Sequence, residues 1–559
     1  MHLKRKAIFL NHPLDVFGDT LVKNKLASAI FLLTCISLTV SNCCGQTYNS
    51  VSMPVDRTGS QNRKIKEIFA ESLSSQKRNI VFLLTDDQAV ISMGCYGNKQ
   101  VKTPNLDALA ADGVIFDRHY VTTAICMASR CNIMTGLYEF RTGCNFGYGK
   151  LPHELWNNSY PMLMRTAGYR TAIAGKIGFE VETVKGGLPV EDFDMWGAGP
   201  GQTHYKTSQN ESMKRYAADF PHSTLSYAAF AEDFIKQSVD DKKPFCLSIS
   251  FKASHRPVEP DPKFNDVYAN TVFEKPANYG REKGAHLAAQ SKTGRQYPRF
   301  KEWGYSDNYN EVMKKYNQQI YAVDQAVGRI RESLKNHGVA ENTVIIFTSD
   351  NGFMCGSHGF GSKVIPYEES TRVPLIIYDP LHPSAGKQQR SDELTGSIDL
   401  CPTMLEMAGL EKPTNIDGVS LVPLLDDPAA EVRTSLSLMN FWSTKTNNSF
   451  GVVTKKWKYL YWYSHANGMV STEELFNMES DRAESANVAY DDENKATLDA
   501  MRQLYDRHLY EIEQNAINDN YGKYKDLFDR RQLWDAKEKI LKQKRPKKSN
   551  KKAKPVPAN

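Results

Sequence analysis

Two acidic pairs in this chain each follow an apolar run. Asp86-Asp87 comes directly after Asn79 to Thr85, and Asp350-Asn351-Gly352 directly after Thr343 to Ser349. In open α/β sheets ligands bind beyond the carboxyl ends of the strands, so such residues can meet at one point. Three carboxylates and an amide oxygen gathered there describe a site for a hard divalent cation, Ca²⁺ or Mg²⁺, rather than for zinc or copper. A solvated turn would account for either pair alone; two pairs at equivalent strand ends imply a shared site. Further runs end in cations: Gly175-Lys176 follows Tyr169 to Ala174, and Lys252 and His255 follow Phe245 to Phe251. The other reactive segment is Cys126-Met127-Ala128-Ser129-Arg130-Cys131-Asn132-Ile133-Met134-Thr135-Gly136. A cysteine alone reads as packing. With Arg130 four residues on, and a helix expected to open near Ser129 with free N–H groups that favour anions, Cys126 is assigned to the strand-end site instead.

The elements that must position these groups are legible as periodicity. Nearly continuous apolar runs are the pattern of strands buried on both faces of a parallel sheet; Val373 to Tyr378 is another. Ile320, Val323, Val327, Ile330 and Leu334 form one helical stripe that Gly338 terminates. The fold class is therefore α/β, a doubly wound, mostly parallel sheet flanked by helices, spanning 78–430. The polar stretches 181–240 and 256–312 are too long for crossovers and read as insertions that build a cleft. Val452-Val453, Trp457 to Tyr463 and Glu474 to Asn477 predict a smaller antiparallel sheet within a C-terminal subdomain, 431–530, on which a helix around Leu498 to Ile512 should pack.

Of 559 residues, 41% are apolar and 24% charged, which suits a large globular protein. The net charge of +6 is misleading, because Lys537 to Lys554 carries ten basic residues against Glu538, a local +9 that leaves the rest at −3. Residues 531–559 read as a basic, disordered tail, and no nucleic-acid-binding surface follows from it. Leu26 to Val40 is uncharged, mostly apolar, and preceded by Lys23 and Lys25. It is short for a membrane span but suits an export signal. We read 1–45 as an export signal region and 46–77 as a linker, giving a periplasmic or secreted protein with no transmembrane span after maturation. Val40-Ser41-Asn42-Cys43 loosely resembles a lipoprotein cleavage site. Seven cysteines remain beyond this leader, an odd number, and none has the spacing of a structural zinc site.

The Cys126 segment resembles the signature of the formylglycine-dependent sulfatases, C-x-P/A-x-R followed by an apolar pair and T-G. The resemblance extends from Arg78 to about Ala489 and includes both acidic pairs, Gly175-Lys176, Phe251-Lys252-Ala253-x-His255 and Glu474-Leu475-Phe476-Asn477. It implies an alkaline-phosphatase-like fold and a sulfatase active on a sulfated carbohydrate. Cys126 would be oxidised by a formylglycine-generating maturation enzyme, and its hydrate would bind Ca²⁺ and attack sulfur. Asp86, Asp87, Asp350 and Asn351 would complete the metal shell. Arg130 would balance the hydrate's charge, while Lys176, His255 and Lys363 would hold the sulfate oxygens, His255 also protonating the leaving alcohol. The chemistry is sensible, because a sulfate ester repels nucleophiles until cations neutralise its oxygens.

The chain departs from the family at Gly175-Lys176-Ile177-Gly178, where the pattern is Gly-Lys-Trp-His. A histidine that helps release sulfate is missing, and His358, close after the metal pair, is the first candidate to replace it; His204, His222 and His286 are others. Trp196, His204, Tyr205, Trp303 and Tyr305 are expected in the sugar cleft. Two other functions fit the same residues: a phosphodiesterase or phosphonate hydrolase of the same superfamily, and a non-catalytic carbohydrate-binding homologue.

Overall fold

The computed structural model describes residues 77–542 except Ser443. The export-signal region 1–45, the linker up to 76 and the tail beyond 542 lie outside the described residues. Eight strands build the larger sheet: β1 (Asn79–Thr85), β2 (Val114–Tyr120), β3 (Arg170–Lys176), β4 (Met195–Gly199), β5 (Phe245–Ser250), β6 (Thr343–Ser349), β7 (Leu375–Tyr378) and β8 (Gln389–Gly396). Their order is β4-β3-β5-β1-β6-β7-β2-β8, parallel except for β7, which runs against both neighbours. The smaller sheet, β9 (Leu436–Asn440), β10 (Ser449–Val453), β11 (Trp457–Trp462) and β12 (Thr472–Asn477), is antiparallel throughout.

Helices of eight residues or more are α1 (Pro104–Asp112), α2 (Cys126–Thr135), α3 (Ser223–Asp240), α4 (Tyr309–Asn336), α5 (Leu400–Met407), α6 (Lys495–Asn515) and α7 (Trp534–Lys542). Successive residues of β1 point to opposite faces. Ile80, Phe82 and Leu84 join a core containing Cys131 of α2 and Met404 of α5. Val81 and Leu83 join another containing Phe230 of α3 and Val327 of α4. Helices thus cover both faces, which is why β1 and β6 are apolar without alternation. A third core binds α6 to the smaller sheet through Met501, Tyr505 and Phe450.

The structure differs from expectation in six elements. Strands β2, β4 and β8 show no long apolar run: β4 and β8 lie at the sheet edges, and β2, inside the sheet, turns polar after Phe116. Within 181–240 the segment 223–240 is helix α3, capped by His222, whose side chain accepts from the Thr224 N–H. Helix α2 begins at Cys126 itself rather than near Ser129. The basic tail starts later than 531: Trp534, Ile540 and Leu541 of α7 pack on the C-terminal core, and the buried Lys537 donates to the Tyr461 hydroxyl at 2.9 Å. No described helix is long and apolar enough to cross a membrane.

Candidate functional site

The parallel register of the central strands brings the site together. Thr85 pairs with Ser349 and Leu84 with Ser250, so β1, β5 and β6 end level with one another. The Asp350 N–H donates to the Thr85 carbonyl at 3.0 Å, and that of Asp86 to the Ala253 carbonyl at 3.0 Å. The residues leaving these strands therefore emerge side by side. Asp87 adopts a left-handed φ of 69°, a conformation unusual for a residue with a side chain, and Tyr316 and Ser254 bond its carbonyl at 2.5 and 3.2 Å.

Three buried carboxylates meet three buried cations here. Lys176 lies 2.5 Å from Asp86, Arg130 Nε 2.7 Å from Asp350, and Lys363 pairs with Asp87. Arg130 also donates to the Lys176 carbonyl at 2.5 Å, and Asn351 to Asp87 at 2.6 Å. Burial pushes Asp87 and Asp350 above the usual carboxylate range, assisted by the negative charge of Asp86. Burial acts on Asp86 in the same sense, but Lys176, His255, Lys363 and Arg130 together hold it well below that range. Asp350 and Asp86 outweigh burial at Arg130 and raise it further.

Asp86 Oδ1 and Asn351 Oδ1 are buried without a hydrogen-bond donor. Asp86, Cys126 and Asp350 bring ligand atoms within 4.8 Å of one another, as do Asp86, Asp87 and His255. Unsatisfied hard oxygens in a tight group fit a cation such as Ca²⁺. Cys126 heads α2, whose first N–H groups have no acceptor within the helix. Its Sγ faces Gln202 Nε2 at 4.0 Å.

A cavity of about 590 Å³ opens above this cluster, with Asp87, Cys126, His255 and Lys363 in its lining. Lys176 and Arg130 are fully buried beneath it and do not line it, so in this geometry Lys176 reaches Asp86 rather than the cleft. Burial keeps His255 neutral, its pKa down to about 3. Its Nδ1 donates to the Arg256 carbonyl at 2.6 Å, which leaves Nε2 directed toward Asp87, 3.9 Å away.

His358 does not belong to this site. It is fully buried and does not line the cavity; Asn278 contacts its Nε2 at 3.0 Å, and it packs on His286 and Tyr367 toward the smaller sheet. The turn through Gly356 and Gly359 carries it away despite its closeness in sequence to Asp350. His286 bonds the Glu484 carbonyl, His222 caps α3 and contacts the Glu259 carbonyl, and His204 is exposed; none lines the cavity. The space that a side chain at residue 178 would take belongs to Arg130: a Cβ on Gly178 would stand 2.6 Å from Arg130 Cδ.

Among the expected cleft aromatics only Trp303 lines the cavity. Tyr205 and Tyr305 are buried, and Trp196 packs on Phe193. Phe146, Trp442, Arg256, Arg295 and Arg299 line it instead, unanticipated from sequence. All seven cysteines among the described residues are free thiols.

Comparison with known proteins bears on what this arrangement does. Residues 78–410 match the family model described as Sulfatase, and 356–513 that of the N-sulphoglucosamine sulphohydrolase C-terminal region. The chain is 28% identical over 485 residues to an N-acetylglucosamine-6-O-sulfatase of Bacteroides thetaiotaomicron, covering 74% of this chain and 83% of that one. It is 27% identical over 478 residues to an arylsulfatase of Clostridium perfringens, covering 79% and 97%. Among solved structures, one determined in complex with its substrate D-glucosamine-2-N,6-O-disulfate superposes with a TM-score of 0.65 at 26% identity, over 80% of this chain and all of that one. A phosphonate monoester hydrolase of Agrobacterium radiobacter, 22% identical with a TM-score of 0.61 over 78% of this chain and 96% of its own, shares the fold. With the family model covering well over half the chain, and sulfatases as its relatives, the chain belongs to the sulfatase family and is a sulfuric ester hydrolase.

Proposed function

We propose that this chain hydrolyses the sulfate esters of a sulfated carbohydrate, with Cys126 matured to formylglycine. The observation that carries the reading is the position of Cys126 at the head of α2, on a cavity whose floor holds Asp86, Asp87, Asp350 and Asn351. Those four residues would hold Ca²⁺, which supplies positive charge beside the sulfate oxygens when bound. The formylglycine hydrate would supply the hydroxyl that attacks sulfur; His255 Nε2, whose lone pair is free while Nδ1 donates to the Arg256 carbonyl, would take that hydroxyl's proton and pass it to the sugar oxygen as its bond to sulfur breaks. Sulfate would then leave as the bond between carbon and the sulfated oxygen breaks, the second hydroxyl's proton passing to solvent as the aldehyde re-forms, and water would restore the hydrate.

Lys363, on the cavity wall, neutralises a sulfate oxygen. Lys176 and Arg130 act from below, holding Asp86 and Asp350. A sulfated carbohydrate is favoured because apolar rings (Phe146, Trp303 and Trp442) and cationic side chains share the lining of one cavity, which suits a ligand that is both ring-shaped and anionic. The relatives' carbohydrate substrates support this choice over phosphodiesters or phosphonates. Export, through the apolar leader, would bring the enzyme and extracellular polysaccharides together.

Mass spectrometry of the Cys126 peptide, from a host with a maturation enzyme, should show it about 18 Da lighter than the cysteine form. An unmodified cysteine in a fully active preparation overturns the mechanism. Release of sulfate from a panel of sulfated oligosaccharides, set against paired aryl phosphates, tests the substrate class.

A further inference from the structure

The cations of the cavity floor are paired with carboxylates, and those of its upper wall are not. Arg256, Arg295 and Arg299 line the same cavity as Cys126. Arg256 follows β5, while Arg295 and Arg299 stand four residues apart at the start of the short helix Gln296–Glu302, a spacing that puts both on one face. Among the described residues none of the three has a carboxylate within ion-pair distance, whereas Arg130, Lys176 and Lys363 each do.

Tryptophan faces hold them in place. Arg256 and Arg299 each lie 4.4 Å from the Trp303 ring, and Arg295 lies 4.2 Å from Trp442. Arg299 also donates to Ser362 Oγ at 3.1 Å. Stacking fixes the planar guanidinium while leaving its edge N–H groups free for a partner.

Three like charges in one partly desolvated wall oppose one another. Burial lowers the pKa of all three, and at Arg299 the neighbouring Arg295 and Arg256 help bring it down to about 10. An anion placed among them would remove both penalties. The scissile sulfate has its own cations at Lys363 and the floor. The cavity is also large enough for a ligand beyond one sulfate group, lying in the ~300–1,000 Å³ range of sites that enclose small organic molecules.

We propose that Arg256, Arg295 and Arg299 form a second anion subsite, so that the preferred substrate carries, beside the sulfate to be removed, another acidic group, either a second sulfate or a uronate carboxylate. The inference rests on the sulfated-carbohydrate reading above. Arg295 is the most exposed of the three and meets the substrate at the mouth; Arg256 and Arg299 are half-buried and engage the acidic group more closely.

The test separates binding from turnover. A matched set of disaccharides bearing one sulfate, two sulfates, or one sulfate and a uronate carboxylate is titrated calorimetrically into the Cys126→Ala protein. A doubly charged member should bind at least about tenfold tighter than the singly charged one at low salt, since a hydrogen bond to a charged group contributes about 1.5–3 kcal/mol. The advantage should shrink as salt is raised. Arg299→Gln and Arg295→Gln in the same background should each lower the ratio, and the corresponding lysine variants should retain part of it. The comparison between the two doubly charged members identifies the acidic group. Equal affinity across the set, or a ratio unchanged in folded glutamine variants, overturns the subsite. Should a glutamine variant not fold, the salt dependence of the Cys126→Ala protein decides. Selective binding with no sulfate released by the matured wild type from any member would sink the hydrolytic reading and leave the subsite standing.

Discussion

Introducing a side chain at Gly178 should damage the site through Arg130. The glycine has φ +83°, and a Cβ there would lie 2.6 Å from Arg130 Cδ, 3.2 Å from its Nε and 3.4 Å from Lys176 Cε. A residue with a side chain costs roughly 1–2 kcal/mol in the left-handed region. The Arg130 stem cannot swing aside freely, because Nε bonds Asp350 at 2.7 Å and Nη1 bonds the Lys176 carbonyl at 2.5 Å. Displacing it forfeits a charge-assisted bond of about 1.5–3 kcal/mol, so Gly178→Ala should destabilise the protein by about 2.5–5 kcal/mol. Moving Arg130 also moves Asp350, and a displacement near 1 Å costs on the order of 10²-fold in rate. The assay is kcat/KM on 4-methylumbelliferyl sulfate beside a thermal unfolding curve. Gly178→His, which restores the residue type the family pattern carries, should be no more active than Gly178→Ala. Wild-type turnover and unchanged unfolding in Gly178→Ala would refute the claim that Arg130 occupies this space; a gain of activity in Gly178→His would show that the backbone readily adopts the family's arrangement.

Asp350→Ala should lower kcat by 10²-fold or more, and elemental analysis should find less bound calcium, because a ligand and the partner of Arg130 are both lost; wild type stripped by chelator should regain activity with Ca²⁺. Stability should also depend on Glu474, buried and contacted by the Ala288 N–H, Tyr367 and Trp462, with its pKa raised by burial to about 7. A raised carboxyl pKa means that the folded state holds the extra proton between the ordinary value of about 4.5 and about 7, so this contribution to stability is present at low pH and lost as pH rises through that window, up to about 3 kcal/mol in all. Glu474→Gln should therefore be more destabilising at pH 5 than at pH 8, and an equal cost at both would refute the shift. Truncation before Trp534 should melt at lower temperature than truncation after Lys542, since Trp534, Lys537 and Ile540 pack on the C-terminal core; identical melting would mean that α7 contributes no stability.

The cavity floor was legible in the sequence because strand ends announce themselves. Continuous apolar runs located β1, β3, β5 and β6, and the topology of an α/β sheet required Asp86, Lys176, His255 and Asp350 to follow them into one region. Helix α3 was missed, although Leu225, Ala228, Ala229, Phe230, Phe234 and Ile235 lie on a buried side, because the polar stretch before it concealed the signal. His358 misled because closeness in sequence to a strand end says nothing once two glycines turn the chain. The arginines of the upper wall were not legible at all. Arg295 and Arg299 lie in a connection without hydrophobic periodicity, and only tertiary placement against Trp303 and Trp442 reveals that they share a cavity with Cys126.

The two layers of charge imply separable contributions to catalysis and selection. On the floor, Asp86, Asp87 and Asp350 carry three negative charges and Arg130, Lys176 and Lys363 three positive ones, so their sum vanishes. A divalent cation held there would leave the floor with a net +2, suited to a monoanionic sulfate ester. The three arginines above add a separate +3 that does not depend on it. Removing the cation should therefore abolish reaction at the floor while sparing much of the attraction for a second acidic group, whereas neutralising Arg295 or Arg299 should do the reverse. Chemistry set by strand ends and selection set by an insertion can then vary independently, as expected of a fold in which the scaffold fixes the reaction and the connections choose the substrate.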